Sequence, residues 1–355
     1  MAVARRVALY GVLGCVAAGA IAVLLSPAPS GVPPALPGVR DPERIALSDQ
    51  VEADLMAGKF DALDAQAAQL RNLEIRYPGG YPKLTSFYAA LGKFADKPCD
   101  CLKGWESHAP LDGKERQIKA WMAARPDSIT AKIAMAELLR YKAYAIRGGH
   151  LADKVPDDAM AEYQAMMLRA LAYIDRLNTN LDPEISAILF VGLDASGGGR
   201  DDVYALYAAS VKLFPNFPQF YGYAANLLQP KWFGTQTDLT EFFAKLAADG
   251  SENAMIGYSF AAETLASDNK TPDLFSQYGI EWPVLKHALA IRQARYGVSN
   301  GLLNVELRLA GGPPDHAYAA VVARQIGDKW DPGVWWSWDY FYQTRTWALW
   351  QETPH

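Results

Sequence analysis

Apolar residues recur at helical spacing along nearly all of this 355-residue chain after Asp41, and no other feature constrains the fold as strongly. The run 129–146 places Ile133 and Leu139 on one stripe of a helix, and residues 157–177 form a second long amphipathic run. No stretch shows sustained alternation of apolar and polar residues, so we expect no β-sheet of consequence. The pattern predicts an all-α protein.

Residues that start and stop helices stand beside these runs. Ser128 precedes one predicted helix and Gly148 follows it, while Asp182 with Pro183 opens another, because proline suits the first turn. The acidic residues 157–158 stand at a predicted helix start, where carboxylates complement the macrodipole. We interpret these residues as caps.

A weak repeat links the helices. Proline ends a helix, and an X-Pro dipeptide stands at three predicted junctions, namely Tyr77-Pro78, Arg125-Pro126 and Phe214-Pro215. The positions ten, twelve and thirteen residues after these prolines are all apolar: Tyr88, Ala90, Leu91, Ala136, Leu138, Leu139, Ala225, Leu227 and Leu228. The prolines do not follow the tetratricopeptide period of about 34 residues. We therefore predict a degenerate tetratricopeptide-like α-solenoid of helical hairpins.

The N-terminus indicates where the chain resides. Arg5 and Arg6 precede the uncharged run 7–25, whose nineteen residues would span about 28 Å as a helix. No charge follows until Arg40, so the positive-inside rule leaves the N-terminus in the cytoplasm. We expect residues 1–25 to be a signal anchor with one transmembrane helix in the cytoplasmic membrane, and the body to lie in the periplasm or outside.

Two alternatives for this segment stay open. The patterns Ala18-Gly19-Ala20 and Ala20-Ile21-Ala22, with small residues at their first and third positions, are typical of signal-peptide cleavage, which would release the exported body. Residues 12–15, with the sequence VLGC, resemble a lipoprotein cleavage box. The body is exported in all three interpretations.

Composition divides the remainder of the chain. Six prolines between Pro27 and Pro42 predict a semi-rigid, extended spacer over residues 26–42. Residues 43–328 form the predicted helical-repeat domain, and residues 329–355 form an aromatic capping segment. That segment contains Trp330, Trp335, Trp336, Trp338, Tyr340, Phe341, Tyr342, Trp347 and Trp350. We favour a cap over the last repeat, with sugar stacking or a partner surface as alternatives.

Three segments carry a resemblance to a known family. They read WMAARPDS at 121–128, LQPKWFGT at 228–235 and QIGDKWDPGVW at 325–335. They resemble the start, the Pro-Arg-Trp-Gly-Gly-type turn and the closing segment of the bacterial family called domain of unknown function 4034. Lys231 and Phe233 stand where that turn has arginine and glycine. The resemblance implies an exported helical-repeat fold and implies no catalytic residue.

Cys99 and Cys101 are the cysteines outside the anchor. An exported compartment favours oxidation, so we expect a disulfide between them, although so small a ring strains disulfide geometry. Free thiols are one alternative. A metal or redox role with His108 is another, but zinc-binding pairs usually have two to four residues between their cysteines.

The sequence predicts no catalytic residue, cofactor or metal site. Five histidines stand in unrelated contexts, and no Ser-His-Asp or Cys-His arrangement emerges. The run SGGGR at 196–200 lacks the Gly-Lys-Ser/Thr ending of a phosphate-binding loop. We interpret it as a loop between helices, with Asp201 or Asp202 capping the next helix.

One set of side chains suggests a binding surface. Glu137 and Tyr141 are four residues apart, as are Arg140 and Tyr144, and Arg147 lies one turn further. On a concave solenoid face these groups could grip a carboxylate or an acidic sugar. Exposed pairs at this spacing look the same in sequence, and we favour that interpretation.

The expected function follows from these features. A formal net charge of −5 argues against a dedicated nucleic-acid binder. We predict a membrane-anchored scaffold that binds an unidentified protein, and we nominate Arg140, Tyr144, Arg147 and Trp232 as its partner surface. The alternative is an enzyme that acts on envelope polymers or sugars through the aromatic C-terminal segment, which we favour less.

Overall fold

A computed structural model of the chain describes residues 32–92, 109–148, 154–268, 274–313 and 315–350. Within these ranges there are sixteen α-helices and a 3-10 helix at Thr179–Leu181, and the only β-type pairing is an isolated bridge between Arg76 and Pro82. The all-α prediction is confirmed.

The helices follow in chain order. The first eight are α1 Pro42–Met56, α2 Phe60–Leu70, α3 Lys83–Gly92, α4 Ala109–Ala124, α5 Ile129–Arg147, α6 Asp157–Ile174, α7 Pro183–Val191 and α8 Arg200–Leu213. The next eight are α9 Gln219–Leu227, α10 Gln236–Asp249, α11 Glu252–Asp268, α12 Leu274–Tyr278, α13 Trp282–Tyr296, α14 Asn300–Ala310, α15 His316–Ile326 and α16 Trp338–Leu349.

Several predicted features lie outside the described residues. They are the membrane anchor at 7–25, the cysteines Cys99 and Cys101, and the nearby His108. None of the helices in the described ranges combines the length and the apolar character needed to cross a bilayer.

The odd-numbered helices from α3 to α13 form an inner row in which each helix packs on the next. The even-numbered helices α4, α6, α8 and α10 each pack against helices of this row. Helix α7 of the row buries seven of its nine residues, whereas its neighbour α8 buries only Val203 and Ser210. Stacked helical hairpins are compatible with this arrangement.

The weak proline repeat marks the packing faces of the inner row. Its three X-Pro dipeptides stand in the connections that precede α3, α5 and α9. All nine apolar positions that follow them are at most 8% exposed. The repeat therefore reflects how helices of this row begin and which side chains they bury.

The helix caps lie where the sequence places them. Ser128 Oγ accepts from the backbone N–H of Ala131 at 3.0 Å. The Asp182 carboxylate accepts from the N–H of Glu184 at 3.0 Å, and the residue between them, Pro183, is the first residue of α7. Asp202 accepts from the N–H of Gly199 at 2.8 Å, which confirms that residues 196–200 form a loop followed by a capped helix.

Asp182 is also the centre of a buried polar network. Its carboxylate accepts from Arg71 Nε at 2.8 Å and from Tyr88 Oη at 2.7 Å. Another nitrogen of Arg71 donates to the Thr130 hydroxyl at 2.9 Å. The Asp182 side chain is fully buried, and a buried charge is tolerated only with partners of this kind. The network joins the end of α2 to α3, α5 and α7.

The connection between α2 and α3 contacts α11 and α13, the last two helices of the inner row. Arg292 on α13 is buried, donates to the Gly79 carbonyl at 2.8 Å and pairs with Glu263 on α11 at 2.7 Å. Gly79 has φ +88°, and a Cβ there would lie 2.8 Å from Ser299 Oγ, so glycine is required. Tyr81 of the same connection donates to Glu263 at 2.7 Å.

The aromatic C-terminal segment packs largely inward. Trp335 is 2% exposed and donates to Asn304 Oδ1 at 2.8 Å, and Phe341 is fully buried against residues of α14 and α15. Trp330 donates to the Leu36 carbonyl at 2.8 Å. The residues just before α1 therefore lie on the C-terminal segment, and Ala35 onward belongs to one compact unit.

The Asp182 network yields a stability prediction. Asp182→Ala leaves the Arg71 guanidinium without its carboxylate and removes the cap of α7, so we expect a loss of about 3–5 kcal/mol in unfolding free energy. Asp61→Ala removes a pair with Arg125 whose side chains are 76% and 49% exposed, so its loss should be much smaller. Urea unfolding followed by circular dichroism measures both, and equal losses would contradict the network's importance.

Candidate binding site

Helix α5 positions most of the nominated residues. Ser128 caps its start, and five buried alanines let its neighbours approach closely: Ala131, Ala134, Ala136, Ala143 and Ala145. Helices α3, α4, α6 and α7 all pack on it. The polar side chains of its second half must therefore find partners among neighbouring elements.

Arg140 and Glu137 form a buried pair on this helix. Arg140 Nη2 lies 2.6 Å from Glu137 Oε2, and the two side chains are only 17% and 6% exposed. The guanidinium lies 4.2 Å from the centroid of the Tyr141 ring. The favoured interpretation as an exposed pair is wrong here, because the neighbouring helices cover this face of α5.

Charge pairing sets the protonation of this cluster. Burial alone would lower the pKa of Arg140, but the Glu137 carboxylate and the Tyr141 hydroxyl outweigh it and hold that pKa well above its usual range. Burial raises the pKa of Tyr223 on α9, and the carboxylate of Glu184 on α7 adds to this rise. Groups from three inner-row helices thus share one electrostatic environment.

Glu184 is the buried acid of this cluster. It is 3% exposed, and its Oε1 atom has no hydrogen-bond partner. Burial, together with the nearby Glu137 carboxylate, raises its pKa to about 8, although a hydrogen bond with Thr85 opposes the shift. The carboxyl group therefore keeps its proton at neutral pH.

Two tyrosines continue the surface along α5. The ring of Tyr144 lies edge-on to that of Tyr163 on α6, with centroids 5.7 Å apart. Tyr163 donates to Asp194, in the α7–α8 connection, at 2.8 Å. Burial, and then the Asp194 carboxylate, raise the pKa of Tyr144. Tyr144 therefore stays neutral, and the single O–H of Tyr163 is already donated to Asp194.

Arg147 and Trp232 end the surface. The Arg147 guanidinium carbon lies 5.8 Å from the Trp232 ring centroid and 6.0 Å from that of Tyr163. Trp232 sits in the α9–α10 turn, where its backbone N–H donates to the Gln229 carbonyl at 2.9 Å. A Cβ on Gly234 would lie 2.2 Å from a backbone oxygen, so this tight turn requires glycine.

The structure brings the four nominated residues into one half-buried cluster, in which Tyr163 contacts both Tyr144 and Arg147, and Arg147 contacts Trp232. We call Arg140, Tyr144, Arg147 and Trp232 the α5 surface. Sequence reasoning missed four residues that adjoin it, namely Tyr163, Glu184, Asp194 and Tyr223. In the sequence, Glu184 is recognisable only as an acidic residue in the first turn of a helix. Nothing in the sequence marks the other three as neighbours of α5, because their proximity depends on tertiary packing.

The chemistry of the α5 surface is recognition by polar and aromatic groups. It offers guanidinium and phenol donors, aromatic faces and one protonated carboxyl group. Among the described residues, no group of three or more histidine, cysteine, aspartate or glutamate side chains is placed to hold a metal ion. Arginine and aromatic side chains of this kind are enriched at the energetic centres of protein interfaces.

Comparisons of the chain with known protein families, with curated proteins and with solved structures find no match. The resemblance to domain of unknown function 4034 therefore stays a prediction from its three segments.

The buried acid predicts a specific pH dependence. The folded state holds the Glu184 proton up to about pH 8, whereas an unfolded glutamate releases it near pH 4.3. The stability that this proton contributes is present at low pH and is lost as pH rises through 8. The side chain in Glu184→Gln is neutral at every pH. The unfolding free energy of this variant, relative to that of the unsubstituted protein, should therefore rise by on the order of 2 kcal/mol from pH 6 to pH 9.

Thermal unfolding at both pH values measures this difference. The control is Glu241→Gln, which replaces an exposed carboxylate on α10 and should follow the unsubstituted protein. A constant difference between Glu184→Gln and the unsubstituted protein from pH 6 to pH 9 would contradict the buried protonated acid.

Proposed function

We propose that this chain is a membrane-anchored, exported scaffold that binds a protein partner through the α5 surface. The observation that carries the proposal is the convergence of Arg140, Tyr144 and Arg147 with Trp232, which comes from a separate turn. Inner-row surfaces of helical-repeat proteins bind extended segments of other proteins. Arginine and tryptophan supply much of the binding energy in such contacts.

The fold class within this proposal is a degenerate tetratricopeptide-like α-solenoid. The inner row of odd-numbered helices and the buried positions after Pro78, Pro126 and Pro215 support it. Kinship with domain of unknown function 4034 is part of the same proposal. It rests on the three quoted segments, of which one contains Trp232 and its turn.

We also propose that the chain is anchored in the cytoplasmic membrane and that its body is exported. The support for this is the sequence of the N-terminal segment, in which Arg5 and Arg6 precede the uncharged run 7–25. A cleaved and exported form remains the alternative. In either form the α5 surface would meet its partner outside the cytoplasm.

One observation favours a second function, an enzyme that acts on envelope sugars. Trp336 is 43% exposed and stacks on Tyr340, with centroids 5.3 Å apart and planes 9° from parallel. Arg308 lies 4.4 Å from the Trp336 centroid. An exposed aromatic platform of this kind suits the face of a sugar ring.

Cross-linking in cells tests the scaffold. Cells that produce the tagged full chain are treated with a membrane-impermeant amine cross-linker, and captured proteins are quantified by mass spectrometry. The variant Arg147→Ala/Trp232→Ala should lose at least tenfold of one specific partner, because arginine and tryptophan anchors each contribute about 2 kcal/mol or more.

The matched control is Arg169→Ala, which removes an exposed arginine of α6 whose side chain contacts Met166. It should capture the partner as the unsubstituted chain does. Equal capture by all three proteins, or capture of no protein in stoichiometric amount, would contradict the scaffold.

A further inference from the structure

Arg147 differs from the other arginine of the α5 surface in its partners. Arg140 is paired with Glu137 at 2.6 Å. Arg147 has two aromatic rings within 6.0 Å and one weak contact to the Gly148 carbonyl at 3.5 Å. Among the described residues, no carboxylate lies within ion-pair distance of its guanidinium. Among the described residues, most of its five N–H donors therefore have no acceptor.

A second donor beside Arg147 is also without an acceptor. Trp232 Nε1 is buried and has no hydrogen-bond partner. An indole N–H in that position normally finds an acceptor, and leaving it unpaired costs free energy. A guanidinium and an indole N–H on neighbouring side chains form a site made of donors. Such a site suits an anion.

The groups around this site indicate which anion. Asp194 lies beside Tyr163 and Tyr144, and it accepts from Tyr163 at 2.8 Å. Arg140, which also acts on Tyr144, is already neutralised by Glu137. One cation next to a fixed carboxylate favours a ligand of single charge over a dianion such as phosphate. The planar fork of arginine matches a carboxylate with two hydrogen bonds.

We propose that Arg147 and Trp232 form a carboxylate-binding subsite, which takes the C-terminal or side-chain carboxylate of a bound peptide segment. The guanidinium would bind the two carboxylate oxygens, and Trp232 Nε1 would donate to one of them. Tyr163 and Trp232 would flank the ligand with their rings. This inference rests on the proposed function of the α5 surface and names the chemistry of its partner.

Indole NMR tests the subsite directly. The probes are N-acetylglycine, which ends in a carboxylate, its amide N-acetylglycinamide, and inorganic phosphate. They are titrated into the full-length chain in detergent micelles, labelled with ¹⁵N at the indole nitrogens, and the Trp232 signal is assigned with Trp232→Phe. We expect N-acetylglycine to move the Trp232 indole proton downfield in a saturable way, because a new hydrogen bond deshields it.

Variants and probes distinguish the outcomes. Arg147→Gln should weaken this binding about tenfold or more, whereas Arg169→Gln should leave it unchanged. No saturable shift with N-acetylglycine, an equal shift with the amide, or an equal shift in Arg147→Gln would overturn the subsite. A stronger response to phosphate would overturn the assignment to a carboxylate.

The two experiments can fail separately. If cross-linking depends on Arg147 and Trp232 but the titration shows no carboxylate response, the scaffold stands and the subsite is wrong. If the titration succeeds while cross-linking captures no partner, the chain binds a carboxylate ligand of another kind, and the protein scaffold is wrong.

Discussion

The rest of the structure depends on the buried ion pair between Arg71 and Asp182. Asp182 has no exposed surface, and its carboxylate accepts from Arg71 and Tyr88 while it caps α7. Arg71 reaches Thr130 in the first turn of α5 as well. Because a buried carboxylate is costly without these donors, the network fixes α5 against α7. That alignment brings Glu184 next to the Glu137–Arg140 pair.

The α5 surface follows from how its charges are balanced. Glu137 neutralises Arg140, and Glu184 keeps its proton because burial and the nearby carboxylate both oppose ionisation. Arg147 is the cation that no described carboxylate neutralises. Within the described part of the chain, Arg147 thus places a positive charge without an acidic partner between aromatic rings, and this is the physical basis for expecting a carboxylate there.

Much of the fold could be predicted from sequence because it depends on local chemistry. The helical period, Ser128 and Asp182 as caps and the apolar positions after Pro126 all describe single helices and their junctions. The role of Glu137 could not be predicted, since its spacing to Tyr141 is the same on an exposed or a covered face. Only the packing of neighbouring helices decides between the two.

Photo-cross-linking at position 144 tests the central claim, that the α5 surface holds a protein partner. Benzoylphenylalanine replaces Tyr144 in one variant and Leu168 in the other. Leu168 is 48% exposed on α6. Illumination of cells should cross-link a single protein species to position 144 and should give far less of it at position 168. Equal yields at the two positions, or no product at position 144 from a variant that unfolds at the normal temperature, would contradict the account.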